Sequence, residues 1–281
     1  MQQNTEESTS EPSHVQKPNY VHTLVAAGIS GGCGAYASFF FEGAKKRLQS
    51  NQKLPNLKNI GPYIWLKESF RGSSGFAGSL IPTSIIQQMT SHYFEEKKLS
   101  YTLMGRTIEI VCSGGLGGIF STMVENLVLE QQMTKTGPKD AFFNLLKQGN
   151  TRIFRGLPLV MSREAIFGFC YLKGADEASN YAATNFGAYY AIPAQLAVGA
   201  IGSLISHPFD TTATTMQRYG FNSMLTSAKH LWNENKVKSF YKGGAMRIGL
   251  FTTAMLTIKN TQEITMRALE DEHQPINAKA H

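Results

Sequence analysis

The chain reads as an all-α membrane protein of six transmembrane helices in three pseudo-symmetric repeats, each with a short amphipathic helix on one side of the bilayer. Three observations predict this: long uncharged runs, bases confined to alternate connections, and an internal repeat at intervals of 83 and 85 residues. Composition agrees. Charged residues make up 17% of the 281 and hydrophobic residues 42%, with 26 glycines, which is poor in charge for a soluble enzyme. A mean hydropathy of -0.19 suits helices that keep one polar face.

In chain order, residues 1–19 form a polar tail with one base, Lys17, and no apolar run. They resemble neither a secretory signal nor a transit peptide and read as disordered. Uncharged runs follow at 18–41, 72–94, 110–124, 178–209 and 248–258. A spanning helix needs roughly 17 to 25 predominantly apolar residues. The first, second and fourth runs supply them; elsewhere a helix must extend through Glu109, Arg163, Glu164 or Lys259. Ionisable residues at such positions face a bundle interior or a wet cavity, so the expectation is six helices around a polar centre. The repeats are placed at 20–105, 106–187 and 188–267, with a polar tail over 268–281.

The connections 42–71, 124–155 and 210–247 hold 18 of the 27 Lys and Arg and only 7 of the 20 acids. One face of an alternating bundle is therefore strongly basic and suits anionic lipid head groups. Nucleic-acid binding is the competing account of a pI near 9.2, but the bases are scattered and lack interleaved aromatics. Cys33, Cys112 and Cys170 are far apart among apolar residues and read as buried thiols, and the seven histidines show no ligand spacing. No metal is expected. A soluble enzyme is disfavoured, since no P-loop or nucleophile-base pair is visible.

The repeat itself aligns without gaps: GGCGAYASFFFEGAKKRLQ from Gly31, GGLGGIFSTMVENLVLEQQ from Gly114 and GAIGSLISHPFDTTATTMQ from Gly199. Glycine recurs at the first and fourth positions and a small residue at the fifth (Ala35, Gly118, Ser203). An acid recurs at the twelfth (Glu42, Glu125, Asp210) and glutamine at the nineteenth (Gln49, Gln132, Gln217). Small residues at this spacing let membrane helices approach closely. The acid lies about three turns from the first glycine and so near the same interior face. Each copy continues into an amphipathic stretch: Leu57 to Trp65; Ala141, Phe142, Leu145 and Leu146; Met224, Leu225, Ala228, Leu231 and Trp232. Then comes an aromatic-base-glycine signal, Phe70-Arg71-Gly72, Phe154-Arg155-Gly156 and Tyr241-Lys242-Gly243.

These residues resemble the mitochondrial carrier family, over roughly residues 20–267. PFDTTATTMQ with SFYKGG, and GNTRIFRGLP, carry the likeness best. The resemblance implies a six-helix inner-membrane transporter with basic connections toward the matrix, monomeric, with no cofactor beyond an anionic lipid such as cardiolipin at matrix-side helix ends. It also implies a matrix gate of Glu42, Lys45, Glu125 and Asp210. There this chain departs from the family. The base column reads Lys45, Val128 and Ala213, and the proline column Phe40, Met123 and Pro208. One surviving pair predicts a weak gate. On the cytoplasmic side Glu95 with Lys98 is similar to the family motif, whereas Asp176 lacks its base and Glu263 has Arg267 one residue late.

By the same resemblance the solute site lies halfway along the even helices, at Arg163 and Glu164 with Phe167 and Tyr171 at four-residue steps, and Arg247 one turn below the aligned Leu250. A cation beside two rings suits the phosphate and base of an adenine nucleotide such as ATP or ADP. The Arg-acid pair equally suits amino acids, and a lipid-facing aromatic stripe with an internal Arg163 to Glu164 pair is the bland alternative. The gates that look eroded also suit a non-transporting membrane adaptor. The acidic Glu270-Asp271-Glu272 cluster is similar to C-terminal signals of bacterial effectors, which would place the chain in a host mitochondrion; solubilising charge is the simpler account.

Overall fold

The computed structural model describes residues 20–99 and 102–271, and among them every regular element is helical. The long elements are α1 (Tyr20–Gln49), α3 (Ser73–Glu96), α4 (Leu103–Thr134), α8 (Ala191–Tyr219) and α11 (Gly244–Asp271). A further rod joins α6 (Leu157–Gly168) through a π-helical turn, Phe169–Gly174, to α7 (Ala175–Phe186). Shorter helices, α2 (Leu57–Ser69), α5 (Pro138–Lys147), α9 (Met224–Asn235) and α10 (Val237–Phe240), lie in the connections. Three segments are long and apolar enough to cross a membrane: Tyr20–Gln49, Leu103–Thr134 and Ala188–Tyr219.

The rods close into a ring in the order α1, α3, α4, α6–α7, α8, α11 and back to α1. The recurrent glycines explain the closeness. A Cβ at Gly114 would lie 2.9 Å from the Glu164 carbonyl of α6, and one at Gly31 or Gly199 would clash with Ser84 of α3 or Phe251 of α11. Three residues on, each rod meets its other neighbour: Gly34 faces Ile258 of α11, Gly117 faces Thr83 of α3 at 2.9 Å, and Gly202 faces Cys170. The two glycine columns thus seat each of α1, α4 and α8 in close contact with two rods.

A second set of joints uses the aromatic-base-glycine signal. Gly72, Gly156 and Gly243 all adopt the left-handed backbone that disfavours a side chain, with φ of 97°, 85° and 80°. They abut Val128 of α4, Ala213 of α8 and Lys45 of α1. The preceding bases reach to the ends of the same helices. Arg71 donates to the Lys135 carbonyl at 2.8 Å, Arg155 to Asn222 at 3.3 Å, and Lys242 to Asn51 at 2.8 Å.

The connection helices form where amphipathic stretches were expected. In α5, Ala141 and Leu145 are buried while Phe142 and Phe143 are exposed; in α9, Leu231 is buried and Trp232 exposed. Helix α2 is kinked at Gly61 ahead of Pro62.

The chain turns at Gly187 (φ 105°), where the second and third repeats are divided, and α8 begins at Ala191. Two expectations need correction. The boundary placed at 105/106 falls inside α4, whose N-cap is Thr102. Cys33 and Cys112 are exposed on the outside of the ring and Cys170 is half-buried, all as free thiols.

Candidate functional site

The acid columns of α1, α4 and α8 converge at one end of the ring, where Glu42, Glu125 and Asp210 are all buried. Buried carboxylates need cations or hydrogen-bond donors, and four cations lie within 4 Å of them. Lys45 lies 2.7 Å from Glu42 and 3.0 Å from Asp210. Lys46 lies 2.8 Å from Glu125 and 2.9 Å from the Thr214 hydroxyl. Arg163 of α6 places Nη1 2.6 Å from Glu125 and 2.5 Å from Asp210, and its Nε donates to Glu164 at 3.0 Å. Arg247 of α11 stands further off, 3.8 Å from Asp210.

Gln49 completes the cluster. Its amide donates to Asp210 at 2.7 Å and to the Thr211 hydroxyl at 3.1 Å, and its carbonyl accepts from Thr214 at 3.1 Å. Four rods are therefore tied together by charge at one level, α1 to α4 and α8 through the lysines, α6 to α4 and α8 through Arg163.

The expectation that one ion pair survives among these acids is corrected. Val128 and Ala213 do leave two base positions apolar, but Lys46 and Arg163 supply the missing charge from elsewhere. Consecutive residues of a helix point about 100° apart, so Lys45 and Lys46 can address α8 and α4 at once. Arg163, expected beside Glu164 as a solute-binding cation, is engaged by Glu164 and also by Glu125 and Asp210.

Immediately above lies a cavity of about 160 Å³. Its charged lining is Glu42, Glu125, Glu164, Arg163 and Arg247, and its walls are largely apolar, including Phe76, Phe167, Leu250 and Phe251. Phe167 meets Phe251 edge-on with ring centroids 4.7 Å apart, and the Arg247 guanidinium sits 5.9 Å from the Phe167 centroid. Arg163, Glu164, Phe167 and Arg247 are thus brought to one chamber. Tyr171 belongs to the π-helical turn, and its side chain lies outside the described residues.

At the opposite end the expected gate residues are not joined across helices among the described residues. Glu95 and Lys98 are exposed and linked only by a backbone bond, Lys98 N–H to the Glu95 carbonyl at 2.9 Å. Asp176 and Glu263 line one shallow recess with Gln195 and Lys259, but Glu263 pairs with Arg267 of its own helix at 2.5 Å. The acidic cluster at 270–272 has no described side chains.

The other ionisable interruptions are also accommodated. Glu109 is buried and accepts from the Ser91 hydroxyl at 2.6 Å, and Lys259 reaches Gln195 at 3.4 Å. No protein-family model matches the chain, and no curated protein matches it.

Proposed function

We propose that the chain is a solute carrier working by alternating access, organised as six spans in three repeats like the mitochondrial carriers and seated in the mitochondrial inner membrane. The observation that carries this reading is the placement of a charged chamber inside a ring of largely apolar rods, closed at one end by ion pairs that contacts across four rods maintain. An ion cluster is a reversible closure. Its partners can separate and rehydrate, whereas a packed apolar plug of the same volume has no comparable second state.

Three helices are long and apolar enough to cross; the remaining rods, α3, α6–α7 and α11, complete six crossings in this reading. Of their charged residues, Arg163, Glu164 and Arg247 line the chamber and Lys259 reaches Gln195 of the next rod, the inward placement expected of intramembrane charges. The two glycine columns and the three left-handed glycine joints recur at equivalent places, which supports a threefold organisation.

For the solute, an anion with a planar ring is favoured, an adenine nucleotide first. Arg163 and Arg247 supply cations, and Phe167 and Phe251 supply rings in the same chamber. A chamber of about 160 Å³ holds a ligand the size of benzene, so a nucleotide enters only as the rods part at the opposite end, where Glu95 and Lys98 are exposed and Glu263 pairs within its own helix. An amino acid is the second reading, favoured by the adjacent Arg163 and Glu164.

Purified protein in liposomes loaded with ATP, ADP or a basic amino acid tests the proposal through uptake of the labelled solute. Saturable flux of ATP that Arg163→Ala abolishes is the expected result. A folded protein that moves none of these solutes acts as an adaptor, and the carrier reading is then wrong.

A further inference from the structure

We propose that Gln87 reads the exocyclic amino group of an adenine ring, because its amide stands open to the chamber where a base stacked on Phe167 and Phe251 presents its edge. The inference rests on the carrier reading above and adds the residue that chooses the base.

Gln87 belongs to α3 and lines the chamber. Its amide carries an acceptor oxygen and two N–H donors, and none of them bonds a described residue. The nitrogen lies against α4, where a Cβ at Gly117 would stand 3.6 Å from it. Enclosed amides ordinarily find hydrogen-bond partners, and the partner left for this one is the solute.

Height along the rods orders the groups. Gly72, Gly156 and Gly243 recur at equivalent joints, and residues count upward from them: Arg247 stands four beyond its glycine, Arg163 seven, Phe251 eight, Phe167 eleven and Gln87 fifteen. At about 1.5 Å per residue, the amide lies roughly 12 to 16 Å beyond the two cations, with the rings between. That is the order of phosphate, sugar and base along a nucleotide. An amino acid held by Arg163 and Glu164 is too short to reach Gln87.

The ring of rods supplies the facing. Helix α3 stands two places from both α6 and α11, so Gln87 lies across the axis from the edge-on pair of Phe167 and Phe251. Adenine presents its amino group beside an acceptor nitrogen, N1 on one edge and N7 on the other, and an amide can meet such a pair with two hydrogen bonds. A purine without the amino group keeps the acceptor but leaves the Gln87 oxygen unsatisfied.

Competition binding to the detergent-purified protein compares ATP with purine riboside triphosphate, which differs from it by that one amino group. Wild type should bind ATP about tenfold more tightly, equivalent to ~1.4 kcal/mol. Gln87→Met, similar in length but lacking the amide, should bind the two alike. The wild-type comparison needs no variant and decides the matter if Gln87→Met unfolds. Equal binding of the two triphosphates by wild type, or a preference that persists in Gln87→Met, overturns the inference and leaves the carrier reading standing. Absence of binding of either triphosphate by wild type overturns the nucleotide reading and the inference with it.

Discussion

Arg163 and Asp210, 47 residues apart, meet with 2.5 Å between Nη1 and Oδ1, and the same nitrogen lies 2.6 Å from Glu125. One guanidinium thus joins α6 to both α4 and α8, deep in the ring. Its removal leaves Asp210 with Lys45 and Glu125 with Lys46, but no charged link from α6. Arg163→Ala should lower stability by about 3 to 5 kcal/mol, the range for breaking a buried pair. Arg163→Lys should recover only part, because an ammonium lacks the planar fork. Thermal unfolding of the detergent-purified variants measures both; equal melting of Arg163→Ala and wild type would contradict the placement.

Lys46 is predicted to be as important as its neighbour, against the family pattern that singles out Lys45. A double-mutant cycle of Lys46→Met and Glu125→Gln should give a coupling of about 1 to 3 kcal/mol, the range for residues in one buried network. Additive effects in denaturation would show that the 2.8 Å contact does not stabilise the fold.

Gly243 combines φ of 80° with a position 3.2 Å from Lys45 for any added Cβ. Gly243→Ala should cost about 1 to 3 kcal/mol through the left-handed backbone and disturb the lysine that pairs with Glu42 and Asp210. A melting temperature within error of wild type would sink this account of the joint.

Glu68 supplies a pH signature outside the spans. The hydrogen bond from Arg71 holds its carboxyl below the ordinary value of 4.5, and Arg47 lies 3.6 Å away. A depressed folded pKa contributes stability that is full above the unfolded value and is lost as pH falls through the folded one. Wild-type melting temperature should therefore drop on acidification below about pH 4.5, and Glu68→Gln should remove that part of the decline. Parallel profiles for the two proteins would contradict it.

Much of this architecture was legible before any coordinates. The acid column falls one residue per rod at one level because eleven residues are about three helical turns from a glycine that must pack inward. The amphipathic stretches around Leu145 and Leu231 announced the connection helices by period alone. Of the cluster's cations, Lys45 was read in place, but Lys46 was missed and Arg163 was assigned to the solute site alone. A column reading follows one register along one helix, whereas Lys46 sits one residue out of register and Arg163 arrives from another rod. The doublet Lys45-Lys46, two bases just after an interior acid, was the available signal.

The account's central claim is that this ion-paired end must open for transport. Gln49 and Thr211 bind each other across α1 and α8 at 3.1 Å, so cysteines at both positions, with Cys33, Cys112 and Cys170 replaced, permit a short reversible thiol cross-link at that level. Cross-linked protein in liposomes should show no ATP uptake, with flux restored on reduction. Undiminished uptake by fully cross-linked protein would contradict the claim.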